Sequence, residues 1–181
     1  MEEEIVITKA GVGDEVGIAF VRKETWLATY PNEKLGITKA NILEKDFESK
    51  EKLEEWAKTI KENGLKDRFV VCAKHNGKIV GFCAGGKEEC CNELRALYLL
   101  PKWHRKGIGR RLVESVLQWL GKEKKIIVKV AEYNDNAIGF YKKFGFVENR
   151  NKSETKIMPS GKVIPEIEME FENKGIKGSC P

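Results

Sequence analysis

The stretch Glu93-Leu-Arg-Ala-Leu-Tyr-Leu-Leu-Pro-Lys-Trp-His-Arg-Lys-Gly-Ile-Gly109 decides the fold of this chain. Its first half is apolar and is stopped by Pro101, which predicts a strand over residues 93–100. Its second half is a basic loop with two glycines that opens into an amphipathic helix. The first N–H groups of a helix have no intrahelical partner and carry partial positive charge, so they attract anions. We therefore predict a phosphate-binding turn over residues 104–110.

Two better-known phosphate motifs do not match this turn. No Lys-Ser or Lys-Thr pair follows the glycines, as a nucleotide P-loop requires, and no third glycine completes a dinucleotide fingerprint. Gly107 and Gly109 let the backbone approach a diphosphate, and Arg105, Lys106 and Arg110 add positive charge. Taken alone, the loop is equally compatible with an ordinary helix start that carries surface cations.

Length and composition favour a single globular domain. The 181 residues, 41% of them hydrophobic, suffice for a substantial core, so we assign residues 1–172 to one domain and expect a flexible tail over residues 173–181. A net charge of +5 with interspersed acidic residues does not favour nucleic-acid binding. Without a long apolar run or signal peptide, we expect a cytoplasmic protein that does not bind membranes. Five cysteines without a CxxC pair predict free thiols and no metal site.

Helical periodicity of apolar residues predicts four main helices. They cover residues 15–30, 49–62, 108–120 and a short segment after Asn134. Asp14 and Ser49 stand where N-terminal caps are expected.

Alternating or compact apolar runs predict the strands. Asn76-Gly77 between two such runs indicates a hairpin, with His75 in its turn. A strand is predicted to begin at residues 146–147, and residues 154–158 and 162–171 are predicted to form a further hairpin. The order of elements indicates a mixed α/β (α+β), mostly antiparallel sheet flanked by about four helices, with one βαβ crossover.

A second motif, Asn134-Asp-Asn-Ala-Ile-Gly-Phe-Tyr-Lys-Lys-Phe-Gly-Phe146, follows the next predicted strand. Together with the opening stretch, in this order, it resembles the GCN5-related N-acetyltransferase (GNAT) family. The specific match spans residues 93–147, and the predicted element order is compatible over about residues 3–171. The resemblance implies a splayed central sheet, in which residues 93–100 and 125–131 diverge. It also implies acetyl-coenzyme A as the co-substrate, without a metal.

The resemblance assigns the coenzyme contacts residue by residue. The diphosphate would meet the N–H groups of the turn, although His104 departs from the Gln or Arg usual at that position. The pantetheine arm would add as a strand beside Leu97 and Leu99 and contact Asn134. The full set of implied coenzyme contacts is Leu97, Leu99, His104, Arg105, Lys106, Gly107, Ile108, Gly109, Arg110, Asn134, Ala137, Tyr141 and Lys143.

The resemblance also implies direct transfer in a ternary complex, with Tyr141 and Glu93 as catalytic groups. Tyr141 matches the tyrosine near the sulfur, and a phenol with an ordinary pKa of ~10 can donate a proton to the departing thiolate. Glu93 stands where many members carry an acidic residue that removes the amine proton through water. The alternatives are a core aromatic and a surface carboxylate, respectively. The N–H near Leu99 would stabilise the oxyanion.

The identity of the acceptor is the property that the sequence specifies least. The family's acceptor groove corresponds to the first two helices and a loop of about residues 149–159, with Trp26 and Tyr30 as substrate contacts. Both aromatics are more typical of core packing. Resemblance to the PaiA-like polyamine branch favours a small amine or polyamine. A protein N-terminus or lysine is the alternative acceptor, and a non-catalytic coenzyme A-binding regulatory module is the second alternative. A monomer and a homodimer are both compatible with the sequence.

Overall fold

A computed structural model describes residues 4–171, and for residues 150–153 it describes only the backbone. The predicted tail over residues 173–181, with Cys180, lies outside these residues. The strands are β1 (Ile5–Lys9), β2 (Arg68–His75), β3 (Lys78–Gly86), β4 (Asn92–Leu99), β5 (Ile126–Ala131), β6 (Val147–Ile157) and β7 (Val163–Phe171). The α-helices are α1 (Glu15–Thr29), α2 (Lys39–Leu43), α3 (Lys50–Lys61), α4 (Ile108–Leu120) and α5 (Asp135–Phe144).

The seven strands form one sheet in the order β1-β2-β3-β4-β5-β7-β6. Every pairing is antiparallel except β4 with β5, which α4 connects as the predicted βαβ crossover. The mixed, mostly antiparallel α/β fold is thus confirmed. The structure has five α-helices where about four were predicted, because residues 39–43 also complete a short helix with a Thr38–Asn41 capping box.

The sheet divides between β4 and β5. These strands pair only at Asn92↔Ile126 and Glu93↔Ile127. Beyond this point β4 pairs with β3 alone, and β5 pairs with β7 alone. The predicted splay is therefore present, and we call the space between the diverging strands the gap.

Helix α4 fixes the geometry of the gap from one face. Its apolar stripe is fully buried in the largest core cluster, beneath β2, β3 and β4. The Asn92 side-chain NH₂ donates to the Leu120 carbonyl at 2.9 Å, which ties the start of β4 to the end of α4. Helices α1 and α3 cover the opposite face of the β1–β4 arm. Helices thus cover both faces of the β1–β4 arm.

Three local predictions were wrong. The Asp14 carboxylate does not cap α1, because it binds the Gly11 N–H at 2.9 Å and the Lys74 ammonium at 2.7 Å instead. His75 belongs to β2, since the turn needs only Asn76 (φ 48°) and Gly77 (φ 76°), the left-handed pair that matches strand twist.

The third error concerns residues 149–159, expected as a loop beside the acceptor. They lie largely in the single strand β6, which absorbs its polar run through a register irregularity between Asn149 and Ser153. The Ser49 cap is confirmed, with its hydroxyl accepting from the Lys52 N–H at 3.2 Å.

Cys72, Cys83 and Cys90 are free thiols, as predicted. In the described part of the chain, no three His, Cys, Asp or Glu side chains gather as metal ligands. Over residues 4–171, every helix is too short or too polar to cross a bilayer.

Candidate active site

The loop between β4 and α4 forms a concave turn of backbone N–H groups. Arg105 (φ 60°) and Gly107 (φ 76°) both adopt the left-handed conformation, and such closely spaced residues turn successive N–H groups to one side. Helix α4 begins at Ile108 without a side-chain cap. The N–H groups of Ile108, Gly109 and Arg110 therefore lack intrahelical acceptors. No atom lies within 4 Å of the place a Gly107 Cβ would occupy, so this turn is open to a ligand. We call residues 104–110 the cradle.

The cradle is anchored at its start by Trp103 and His104. The Trp103 ring is buried and packs against His75, with ring centroids 4.8 Å apart, while the Lys106 ammonium lies 4.7 Å from its centre. The exposed His104 ring places Nε2 at 2.8 Å from the Leu99 carbonyl oxygen, which makes Nε2 the donor. Sequence reasoning missed this bond, which joins the cradle to the end of β4.

Replacing His104 should therefore weaken coenzyme binding modestly. We expect His104→Ala to raise the Kd for coenzyme A roughly three- to tenfold, the equivalent of one hydrogen bond of about 1 kcal/mol. His104→Gln keeps a side-chain N–H donor and should restore most of the affinity. Titration calorimetry with coenzyme A checks both variants. An affinity that is equal in His104→Ala and the wild type would show that the bond has no role in binding.

The remaining cations of the cradle stay accessible. Arg110 is exposed and its Nε donates to Glu114 Oε1 at 2.7 Å, an i,i+4 surface pair of small energetic worth. Arg105 is exposed beside it. Both guanidinium groups can therefore turn toward an anion at little cost.

The edge of β4 presents the backbone of Leu97 and Leu99 to the gap. The Leu100 N–H donates to the opposite residue, Val80, at 2.9 Å. Hydrogen-bonded and non-hydrogen-bonded pairs alternate along an antiparallel ladder, so Leu97 and Leu99 turn their backbone groups away from β3. At Leu97 and Leu99, β4 has no pairing with β5. An extended ligand in the gap could thus reach the Leu97 backbone and the Leu99 N–H.

Helix α5 closes the opposite side of the gap. The Asn134 side-chain oxygen caps it by accepting from the Ala137 N–H at 3.1 Å, so the cap does not use the Asn134 NH₂ group. A Cβ on Gly109 would lie 3.6 Å from the Phe140 ring, an ordinary van der Waals distance, so the Phe140 ring lies next to the start of α4. Lys143 is exposed on the last turn of α5.

Tyr141 is the buried polar residue of this helix, with 5% of its surface exposed. Its ring packs edge-on against Phe140 and Phe146. Burial raises the pKa of the Tyr141 phenol well above its ordinary value, and the nearby Cys83 and Tyr98 add to the effect. Cys83 pairs with Leu97, and both residues belong to the same core cluster as Tyr141. Because its pKa is raised, the phenol is neutral at physiological pH.

Glu93 lies at the closed end of the gap, in the last residue pair that joins β4 to β5. Its carboxylate is about one-fifth exposed and lies 3.4 Å from Arg95 Nε. The pKa of Lys129 on β5 is raised mainly by Glu154 and to a smaller extent by Glu93 and Glu168. The Glu93 carboxylate is thus partly accessible to water and acts electrostatically on β5.

Trp26 and Tyr30 come together at the open end of the gap. The Trp26 indole N–H donates to the Tyr98 hydroxyl at 3.0 Å, and the Trp26 and Tyr30 ring centroids are 4.4 Å apart. Trp26 is 1% exposed and belongs to a core cluster, which is the core packing given above as the alternative to a substrate contact. Burial, then Tyr98 and Glu166, raises the pKa of Tyr30 well above its ordinary value.

Sequence reasoning overlooked Tyr98 and Glu166. Along β4, Tyr98 lies between Leu97 and Leu99. Strand periodicity alone would therefore have placed the Tyr98 side chain on the face of the sheet opposite to the side chains of these two leucines. Glu166 alternates with apolar residues on β7 and pairs with Ala131, the last residue of β5. Its burial, however, depends on tertiary packing that periodicity does not show.

A model of the GNAT acetyltransferase family matches residues 36–146, more than half of the chain. The protein therefore belongs to the GNAT acetyltransferase family.

Two curated relatives are similar over about half of this chain. An uncharacterized N-acetyltransferase of Methanocaldococcus jannaschii is 34% identical over 46% of the chain and 40% of its own length. An uncharacterized N-acetyltransferase of Mycobacterium bovis is 32% identical over 48% of the chain and 57% of its own length. The chain thus aligns with roughly half of each relative.

Solved structures share the whole architecture. The PaiA N-acetyltransferase from Thermoplasma acidophilum, in complex with coenzyme A, superposes with a TM-score of 0.71 at 21% identity, covering 94% of this chain and 99% of that one. YncA of Salmonella typhimurium, with its cofactor acetyl-CoA, superposes with a TM-score of 0.70 at 15% identity, covering 98% of both chains. At these identities the likeness concerns the fold.

Proposed function

We propose that this protein is an acetyl-CoA-dependent N-acetyltransferase that acetylates a primary amine of a small amine or polyamine by direct transfer in a ternary complex. The observation that carries the proposal is the gap itself. One edge of it is an unpaired stretch of β4 backbone, one end is the cradle, and the opposite side carries a buried phenol. Two GNAT structures of similar fold contain coenzyme A or acetyl-CoA, which supports the same co-substrate here.

The chemistry of the site fits each part of that co-substrate. The N–H groups of Ile108, Gly109 and Arg110 suit a diphosphate. The amides of a pantetheine arm match the Leu97 backbone in the manner of an added strand. Asn134 offers an NH₂ donor from the other side, and the exposed Lys143 supplies a cation for a further phosphate.

The thioester supplies an activated acetyl carbonyl, and the residues of the chain manage charge and protons around it. The Leu99 N–H stabilises the oxyanion that forms when the amine nitrogen bonds to the carbonyl carbon. Glu93 accepts the proton released by the amine, through water. Tyr141 donates its proton to the sulfur as the C–S bond breaks, giving an amide and a free thiol.

An acceptor screen tests this proposal directly. Thiol release and amide formation should be measured over polyamines, monoamines, amino acids and short peptides, with subtraction of acetyl-CoA hydrolysis. We propose that the protein acts in the cytoplasm. Under cytoplasmic conditions we expect saturable transfer to amines, with polyamines among the best acceptors. Preference for peptides would indicate a protein acetyltransferase. Saturable coenzyme A binding without transfer would indicate the regulatory module, against which the intact Asn134 and Tyr141 argue.

Replacing Glu93 tests the base. Glu93→Gln should lower kcat about 100-fold, because glutamine cannot accept the proton. A kcat equal to that of the wild type would exclude Glu93 as the base. Coenzyme A affinity, measured by calorimetry, should remain as in the wild type.

A further inference from the structure

Lys156 on β6 extends its ammonium group into the aromatic cluster at the open end of the gap. Its Nζ lies 2.9 Å from Oε1 of Glu166 and 5.6 Å from the centre of the Trp26 ring. A buried carboxylate and an aromatic face are the two groups with which proteins bind alkylammonium ions. The chain therefore already holds one alkylammonium group at this position.

This position belongs to the acceptor side of the gap. Glu166 pairs with Ala131 at the end of β5, whereas Tyr98 lies on β4. Trp26 bridges the two arms, since it bonds to the Tyr98 hydroxyl and lies in one core cluster with Ala131. We call Trp26, Tyr30, Tyr98 and Glu166 the ammonium pocket.

The two partners of the ion pair differ in mobility. Only 8% of the Glu166 side chain is exposed, and strands on both sides hold it, whereas 40% of the Lys156 side chain is exposed. A buried carboxylate requires a cation, but a half-exposed lysine can move into water at little cost. Glu166 is therefore the fixed element of the pair, and Lys156 is the exchangeable one.

A second ammonium group lies beside the same indole ring. The Lys45 Nζ lies 5.2 Å from the Trp26 ring centre. Burial lowers the pKa of Lys45, and Arg22 and Lys156 lower it further. The ammonium groups of Lys45 and Lys156 thus repel each other beside the Trp26 indole. The Glu166 carboxylate is bonded to Lys156. An acceptor that displaces Lys156 keeps the carboxylate neutralised.

We propose that Lys156 is an internal stand-in for the acceptor, and that the ammonium pocket binds the ammonium group of the acceptor that is not acetylated. This inference rests on the proposed transfer to a small amine. The attacking nitrogen must lose its proton, whereas a bonded carboxylate favours the protonated form of an amine. The ammonium pocket therefore selects acceptors that carry a second ammonium group, distal to the attacking nitrogen. It makes the enzyme prefer diamines and polyamines over monoamines.

Putrescine and n-butylamine, which differ by one amino group, are the probes. Lys156→Met removes the stand-in and should lower KM for putrescine about tenfold while KM for n-butylamine stays constant. Glu166→Gln should raise KM for putrescine about tenfold and abolish the preference over n-butylamine. In both variants coenzyme A affinity should stay near its wild-type value.

A matched control is Lys66→Met, which breaks the surface pair with Glu62 at 3.0 Å just after the end of α3 and should alter neither KM. Equal changes for putrescine and n-butylamine, or an unchanged putrescine KM in Lys156→Met, would overturn the inference. If Glu166→Gln fails to fold, Lys156→Met still decides the matter. Absence of transfer to every amine in the wild type would instead refute the proposed function.

Discussion

Gly107→Val is expected to weaken coenzyme A binding at least about 100-fold, the largest binding effect of any single substitution in the cradle. Gly107 has a φ of +76°, which a β-branched side chain tolerates poorly, so the turn would have to refold. A valine would also fill the open space where the ligand approaches the backbone. Because three consecutive N–H groups depend on this turn, the loss exceeds that of one hydrogen bond. Titration calorimetry with coenzyme A measures it.

Gly77→Val is the matched control for backbone strain. Gly77 has the same φ of +76° and likewise no atom within 4 Å of the Cβ position, but it lies in the β2–β3 turn. Both variants should lose a similar free energy of unfolding, about 1–2 kcal/mol. Only Gly107→Val should lose coenzyme A affinity. Equal affinity losses in the two variants would mean that strain, rather than the cradle, controls binding.

Tyr141→Phe is expected to lower kcat about 100-fold or more while changing the Kd of coenzyme A less than about threefold. The substitution keeps the packing against Phe140 and Phe146 and removes only the proton donor. Steady-state kinetics and calorimetry separate the two quantities. Tyr133→Phe removes a hydroxyl that donates to the Tyr30 carbonyl at 3.1 Å, and it should leave kcat within about threefold. A kcat as high as the wild type in Tyr141→Phe would remove this residue as the acid.

The pH dependence of the wild type provides a second test of Tyr141. A general acid must be protonated, and burial raises the pKa of this phenol well above its ordinary value of ~10. The donor therefore stays protonated from about pH 7 to about pH 10, and kcat should not fall in that range because of Tyr141. A decline that begins below about pH 10 and disappears in Tyr141→Phe would contradict a buried, neutral donor.

The central unit of the fold was predictable because it is specified locally. Four of its features are determined by residues that are close together in the sequence. They are the apolar run before Pro101, the glycines of the cradle, the apolar stripe of α4 and the Asn76-Gly77 turn. The polar run in β6 broke the alternation on which strand prediction depends. That strand is held by pairing with β7, which is a tertiary feature.

The candidate site was predictable only in part, for a related reason. Motif resemblance supplied the cradle, Asn134 and Tyr141. The bond from His104 to Leu99 depends on how the loop returns to the strand end. The ammonium pocket depends on the register of β5 with β7 and on α1 packing against both arms. Glu166 lies far from the motifs in the sequence, and no local pattern distinguishes it from a surface glutamate.

The central claim is that coenzyme A binds along the open edge of β4 with its diphosphate in the cradle. Residue-resolved NMR titration of the ¹⁵N-labelled protein with coenzyme A tests it most directly. The account predicts saturable shifts and slowed hydrogen exchange for the amides of Leu97, Leu99, Ile108 and Gly109, with Gly77 unaffected. Saturable shifts confined to other parts of the protein, or no saturable shift at these four amides, would contradict it.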